Sequence, residues 1–273
     1  MAGADIIKYN GDAGVFAWKY PDESLSTGDR LVVNEAQEAL LFKDGMALDL
    51  YPGGKYILDT ENMPLLSRVQ KLPFRGRATF TAELWFINKA YTLDIKWGTT
   101  SPIQIQDPQY GIFVPLRAYG MFGVRIAESK RFLVKLVGVM PVFDREHLMS
   151  YFRGVYMTKV KDSLSSYLVH KKVGILEINA YLEELSDHMQ EKISGVFEDY
   201  GIELVSFYVN DISVPEGDPA VWKLKSALAK KAEMDIIGQG ERLLCVHCER
   251  TFMVKGARFC PFCGSELPAK EAI

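Results

Sequence analysis

All four cysteines of this chain fall in its last thirty residues, as Cys245-Val-His-Cys248, eleven intervening residues, then Cys260-Pro-Phe-Cys263-Gly264. Two Cys-x-x-Cys turns facing each other supply four thiolates, enough to close a tetrahedral zinc site with no position left for water. The expected role of one Zn2+ held by Cys245, Cys248, Cys260 and Cys263 is therefore structural. A module this small has little core of its own, and metal binding would supply most of its folding free energy. A redox dithiol usually has a single Cys-x-x-Cys beside a βαβ unit, and two disulfides would need an oxidising compartment. His247 lies between the first two cysteines and is read as a solvent-facing neighbour. Around the cysteines, Arg242, Arg250, Lys255, Arg258 and Lys270 oppose Glu241, Glu249, Glu266 and Glu271. That near-balance gives no strong phosphate-binding field and favours a structural or protein-contact role.

The 273 residues allow one sizeable domain with accessories, and 48% hydrophobic with 25% charged residues is ordinary for a soluble globular protein. A net charge of −3 argues against coating nucleic acid or anionic lipid by bulk charge. No apolar run approaches the length that crosses a bilayer. Met1-Ala-Gly-Ala-Asp5 has neither the basic nor the apolar region of a secretory leader, and Ala2 removes the myristoylation pattern, so the expected location is the cytosol.

Three segments follow from hydrophobic periodicity. Residues from about Val15 to Gly138 read as β-rich. Glu38–Lys43 and Met46–Tyr51 flank Asp44-Gly45, a strong hairpin signal. Phe80, Ala82, Leu84 and Phe86 alternate along one strand. Leu116, Ala118, Gly120, Phe122, Val124 and Ile126 alternate along another, with Arg117, Tyr119 and Arg125 on its opposite face. Asp144 to Tyr200 reads as two helices, the first N-capped by Asp144 and the second starting near Asn179 and ended by Gly201. Ile202–Val209 returns as a strand, which predicts an α+β domain with helices packed on one side of a sheet. Asp218-Pro219 then starts a helix carrying Val221, Leu224 and Leu228 as an apolar stripe. The expected division is a domain over 1–213, a helix and connector over 214–240, and the ribbon over 241–273.

Nothing in the chain meets the geometric requirements of an active site, and no catalytic or cofactor-binding residue is assigned. His147, His170, His188 and His247 form no metalloprotease pattern. Gly53-Gly54-Lys55 follows Pro52 and lacks phosphate-loop spacing, so it reads as a turn. Ser163, Ser165 and Ser166 lie on a helix without a nucleophile elbow. Glu183 and Glu184 point in different directions, and Lys43, Asp44 and Lys89 read as solvated turn charges. Of Trp18, Trp85, Trp97 and Trp222, most are expected to pack in the core. Trp97-Gly98 and Met121-Phe122-Gly123 are the alternative, as loop tips inserting into lipid.

Several strings resemble one family. Tyr200-Gly-Ile-Glu-Leu-Val-Ser-Phe-Tyr-Val-Asn-Asp-Ile212 looks like the end of an SPFH domain, the stomatin/prohibitin/flotillin or band-seven fold. Glu35–Gly45, Gly53–Leu66, Phe80–Lys89 and Lys231–Gly238 are similar to a bacterial subgroup that pairs this domain with a C-terminal zinc ribbon and often bears the label "virion core protein". The resemblance implies a non-enzymatic, self-assembling scaffold peripheral to the inner face of the cell membrane. It also implies a phage-shock-type membrane-remodelling protein as the partner recruited in envelope stress. In this reading Phe252, Phe259 and Phe262 are candidate partner contacts, unless they form the ribbon's small core. The chain departs from the pattern in having no N-terminal membrane helix, and in having only Gln239-Gly240 between Gly238 and the ribbon. The alternative function is a nucleic-acid-binding or virion-like zinc-ribbon protein, although no nucleic-acid partner is expected.

Overall fold

A computed structural model describes residues 5–69, 78–238, 241–254 and 258–266. Its elements begin with strands β1 (Ile6–Lys8), β2 (Val15–Lys19), β3 (Ser24–Ser26), β4 (Arg30–Val33), β5 (Gln37–Lys43), β6 (Met46–Tyr51) and β7 (Gly54–Ile57), then the short helix α1 (Pro64–Val69). After it come β8 (Thr79–Thr81), β9 (Glu83–Asn88), β10 (Thr92–Gly98), β11 (Ile103–Gln106) and the long β12 (Phe113–Ile126). Helix α2 (Ser129–Phe132) runs into a π-helical turn over Leu133–Val137, followed by β13 (Val142–Asp144), α3 (Arg145–Lys171) and a 3-10 stretch over Ile175–Tyr181. The chain continues through α4 (Leu182–Glu198), β14 (Ile202–Ser213), α5 (Pro219–Gly238), β15 (Glu241–Leu244) and β16 (Thr251–Val254). The expected α+β class is what the molecule adopts.

The chain divides into two units, Met1–Ile103 with Leu116–Ser213, and Gln104–Pro115 with Val214–Ile273. Among the described residues of the first unit, five strands form a sheet in the order β13-β2-β9-β5-β6, and β1-β4-β7 form a smaller one. Asp44 and Gly45 both have positive φ, 50° and 76°. This is the primed turn whose twist suits a two-residue hairpin, and it sets Phe42 opposite Ala47 and Lys43 opposite Met46. Leu25, Leu31, Leu41, Phe80, Leu84 and Phe86 pack in one core. Trp85 and Ile87, on the other face of β9, are also buried. Both faces of that strand are therefore covered, which one face of alternating residues does not reveal.

In the same unit β12 lies between β10 and β14, both antiparallel to it. The alternation along β12 is realised, with Ala118, Phe122, Val124 and Ile126 buried while Tyr119 is exposed. Trp97 and Phe122 are therefore not loop tips. Trp97 is 3% exposed and stacks on Phe207 with ring centroids 5.0 Å apart, and Phe122 packs against Phe197 at 5.7 Å. Gly98 and Gly123 beside them lie within β10 and β12 and not in turns, which corrects the lipid-insertion reading.

Helix α3 begins where expected. The Asp144 carboxylate accepts from the His147 backbone N–H at 3.0 Å and lies 2.7 Å from His147 Nδ1. The helix ends in the left-handed residue Lys172. Helix α4 starts at Leu182, three residues beyond the expected Asn179, because Asn179 sits in the 3-10 stretch. Its amide oxygen accepts from the Ile212 N–H at 3.1 Å. Two residues of α4 act similarly on β14. Gln190 accepts from Phe207 N–H and donates to Val205 C=O, both at 3.2 Å, and Ser186 Oγ accepts from Val209 N–H at 2.9 Å. These side chains satisfy strand backbone groups that a further strand would otherwise pair.

In the second unit, Asp218 accepts from the Ala220 N–H at 2.8 Å and starts α5 as the Asp-Pro signal predicts. Strands β15 and β16 pair antiparallel, Leu244 opposite Thr251. No helix among the described residues is long and apolar enough to cross a membrane.

Candidate metal centre

The two Cys-x-x-Cys segments fold as near copies of one turn. In the first, Glu249 N–H donates to Cys245 C=O at 2.8 Å, and Cys245 N–H donates to Arg250 C=O at 3.1 Å. In the second, Gly264 N–H donates to Cys260 C=O at 2.8 Å, and Cys260 N–H donates to Ser265 C=O at 2.8 Å. The residue after the second cysteine has positive φ in both turns, 55° at Glu249 and 71° at Gly264. Only Gly264 is of the type that meets this need without strain.

The turns bring together the four cysteine sulfurs, all within 4.8 Å of one another. Cys245 and Cys263 sulfurs are 3.6 Å apart, and those of Cys248 and Cys260 are 3.7 Å apart. Zinc–sulfur bonds of about 2.3 Å at tetrahedral angles place sulfurs roughly 3.8 Å apart. The donor chemistry is that of a zinc site, and these two sulfur pairs lie close to its spacing. Cys245 and Cys260 are buried, and His247 is exposed outside the cluster.

Ser265, which spacing alone does not single out, completes the surroundings. Its hydroxyl lies 3.3 Å from Cys245 Sγ and 3.0 Å from Cys263 Sγ. That hydroxyl, with the backbone N–H groups of Cys248 and His247, draws the Cys245 thiol down to about 6. It also lowers Cys263, together with the Ser265 N–H. Cys248 gains from the Arg250 N–H, but burial and the three neighbouring sulfurs outweigh that and push it up to about 12. The cluster holds negative charge readily on one side and resists accumulating more, the situation a bound cation relieves.

Phe259 and Phe262 are 59% and 55% exposed, so neither forms a ribbon core. The Arg250 guanidinium lies over the Phe262 ring, 5.2 Å from its centroid. The Phe252 side chain, Lys255, the Gln239-Gly240 connector and the tail charges Lys270 and Glu271 lie outside the described residues.

Several of the polar residues considered for catalysis have partners of their own, although His188 Nε2 is buried without one. His147 belongs to the α3 cap, and His170 Nδ1 lies 2.6 Å from the Ser166 carbonyl. Glu184 pairs with Lys171. Lys43 donates to Thr81 C=O at 2.7 Å. Lys89 is not a solvated turn charge. Its ammonium meets Glu38 at 3.0 Å, the Ala127 carbonyl at 3.0 Å and Ser129 Oγ at 3.3 Å, and Ser129 in turn donates to Glu38. The cluster ties the turn after β9 to β5 and to the start of α2. Trp222 alone of the four tryptophans is strongly exposed, at 65%; Trp85 is buried and Trp18 half-buried.

A family model described as "SPFH domain-Band 7 family" matches residues 15–236. A protein of Bacillus subtilis (strain 168), named "Uncharacterized protein YdjI", is 20% identical over 227 residues. The similarity spans 82% of this chain and 67% of that protein.

Proposed function

This chain belongs to the SPFH domain–Band 7 family, and on that footing we propose that it is a non-enzymatic scaffold that associates peripherally with a membrane and assembles with copies of itself. In this reading residues 1–213 are the assembling domain, 214–240 a helix and connector, and 241–273 a zinc ribbon that presents a surface to a partner. The observation that supports it is the pairing of a family match over 15–236 with four cysteine sulfurs gathered within 4.8 Å of one another. Cys245, Cys248, Cys260 and Cys263 would hold one Zn2+ in a closed site, where the metal supplies cross-linking and not catalysis. Exposed Phe259 and Phe262 are the apolar contacts such a ribbon would offer. The partner class is a phage-shock-type membrane-remodelling protein, met at the inner face of the cell membrane.

The test is flotation of purified protein with bacterial-lipid vesicles, with and without cytosolic extract. Flotation alone supports direct lipid contact. Flotation only with extract supports recruitment, and the co-floating protein is then identified by mass spectrometry. No flotation in either case overturns the membrane reading. A salt-dependent affinity for DNA or RNA would move the assignment to nucleic-acid binding.

A further inference from the structure

The sheet of β10, β12 and β14 has an apolar inner face and carries exposed apolar side chains among charged ones on its outer face. Its inner face buries Trp97, Phe122, Val124 and Phe207, with Phe122 packed against Tyr156 of α3 and Phe197 of α4. Its outer face carries Leu93, Tyr119, Met121 and Tyr208, with Tyr91 beside them. Tyr91, Leu93, Tyr119 and Tyr208 are each more than half exposed, at 57%, 53%, 54% and 53%. Register makes these residues one patch. Met121 lies between Lys96 and Tyr208, and Tyr119 between Gly98 and Asp211. Leu93 crosses Gly123, where an added Cβ would come within 2.8 Å of Leu93 Cδ2. The open face of an antiparallel sheet is ordinarily polar. A contiguous exposed apolar patch marks a contact surface, and tyrosine is a residue that interfaces favour.

Charge identifies the occupant. Lys96, Arg117 and Arg125 share this face with Glu203 and Asp211, and Arg125 pairs with Glu203 at 2.6 Å while lying over the Tyr91 ring. Anionic lipid and nucleic acid are drawn by a field of one sign. A mixed set suits a copy of itself, because a two-fold rotation presents the same cations and carboxylates in reversed order. The edge at β14 is closed by Gln190, Ser186 and Asn179, which already bond its backbone.

We propose that this outer face is a self-association surface, on which two copies pack sheet against sheet around Tyr119, Met121 and Tyr208. The proposal deepens the self-assembling reading and rests on it.

Sedimentation of the full chain over a concentration series would compare wild type with Tyr208→Glu and Leu93→Glu. Both substitutions should raise the dissociation constant about tenfold or more with unchanged thermal unfolding. Unchanged association in folded variants overturns the proposed face while self-assembly through another surface stands. A wild-type chain that stays monomeric throughout overturns both together. Photo-crosslinking from p-benzoylphenylalanine in place of Tyr119 needs no disruptive variant. Crosslinks to 91–98, 117–125 or 203–213 of a second copy support the face. Crosslinks to other segments, or to lipid in phosphatidylglycerol vesicles, overturn it.

Discussion

Trp97 reaches across β12 to β14, where its indole N–H donates to the Tyr208 carbonyl at 3.0 Å. Gly120 leaves the space for this. A Cβ there would stand 1.9 Å from that carbonyl oxygen and 2.9 Å from Trp97 Nε1. Gly120→Ala should therefore destabilise the first unit by about 2–4 kcal/mol, since β14 backbone must move. Trp97→Phe keeps the stacking and loses the bond, at a cost of about 1 kcal/mol. Denaturant unfolding of both variants checks the order.

Asp144 couples α3 to pH. Burial raises its carboxyl, but the backbone N–H and ring of His147 outweigh burial and hold it below the ordinary carboxylate value. A depressed folded value means the contribution is present above the unfolded pKa of about 3.9 and is lost as pH falls through the lower folded value. Asp144→Ala should cost about 1 kcal/mol at neutral pH, the usual worth of such a cap. The deficit should shrink towards zero in strong acid, read from melts of both proteins over that range.

Glu249 occupies a left-handed position that its counterpart Gly264 fills without strain. Glu249→Gly should stabilise the metal-loaded ribbon by about 0.5–1 kcal/mol. A competitive chelator titration should show slightly tighter zinc retention, whereas Gly264→Ala should loosen it.

Cys260→Ser should abolish stoichiometric zinc, measured by elemental analysis of purified protein. Hydrogen exchange should then rise over β15 and β16, while α3, α4 and β14 keep wild-type protection. Metal removal by a chelator should reproduce that pattern, and acid should assist it because thiols must lose protons to bind.

Local signals carried much of this fold. The Asp44-Gly45 turn, the Asp144 cap, the Asp218 helix start and the alternation along β12 each report a short-range preference that tertiary packing leaves intact. The cysteine spacing likewise foretold four sulfurs in one place. What was hidden depends on partners remote in the chain. Trp97-Gly98 reads locally as a tip, and its burial requires Phe207. Lys89 follows a strand as a turn charge would, yet Glu38 and Ser129 hold it. Ser265 earns its place beside the sulfurs from the fold of the second turn, and serine at that spacing carries no signal of its own.

The side chains that bond the β14 backbone also bear on how copies behave when crowded together. A sheet with an open end is a template, and each added chain offers a fresh end to the next, so growth has no natural stop. Here Gln190 and Ser186 stop that growth at the β14 end, within one molecule. Copies concentrated on a surface therefore do not extend the sheet from β14.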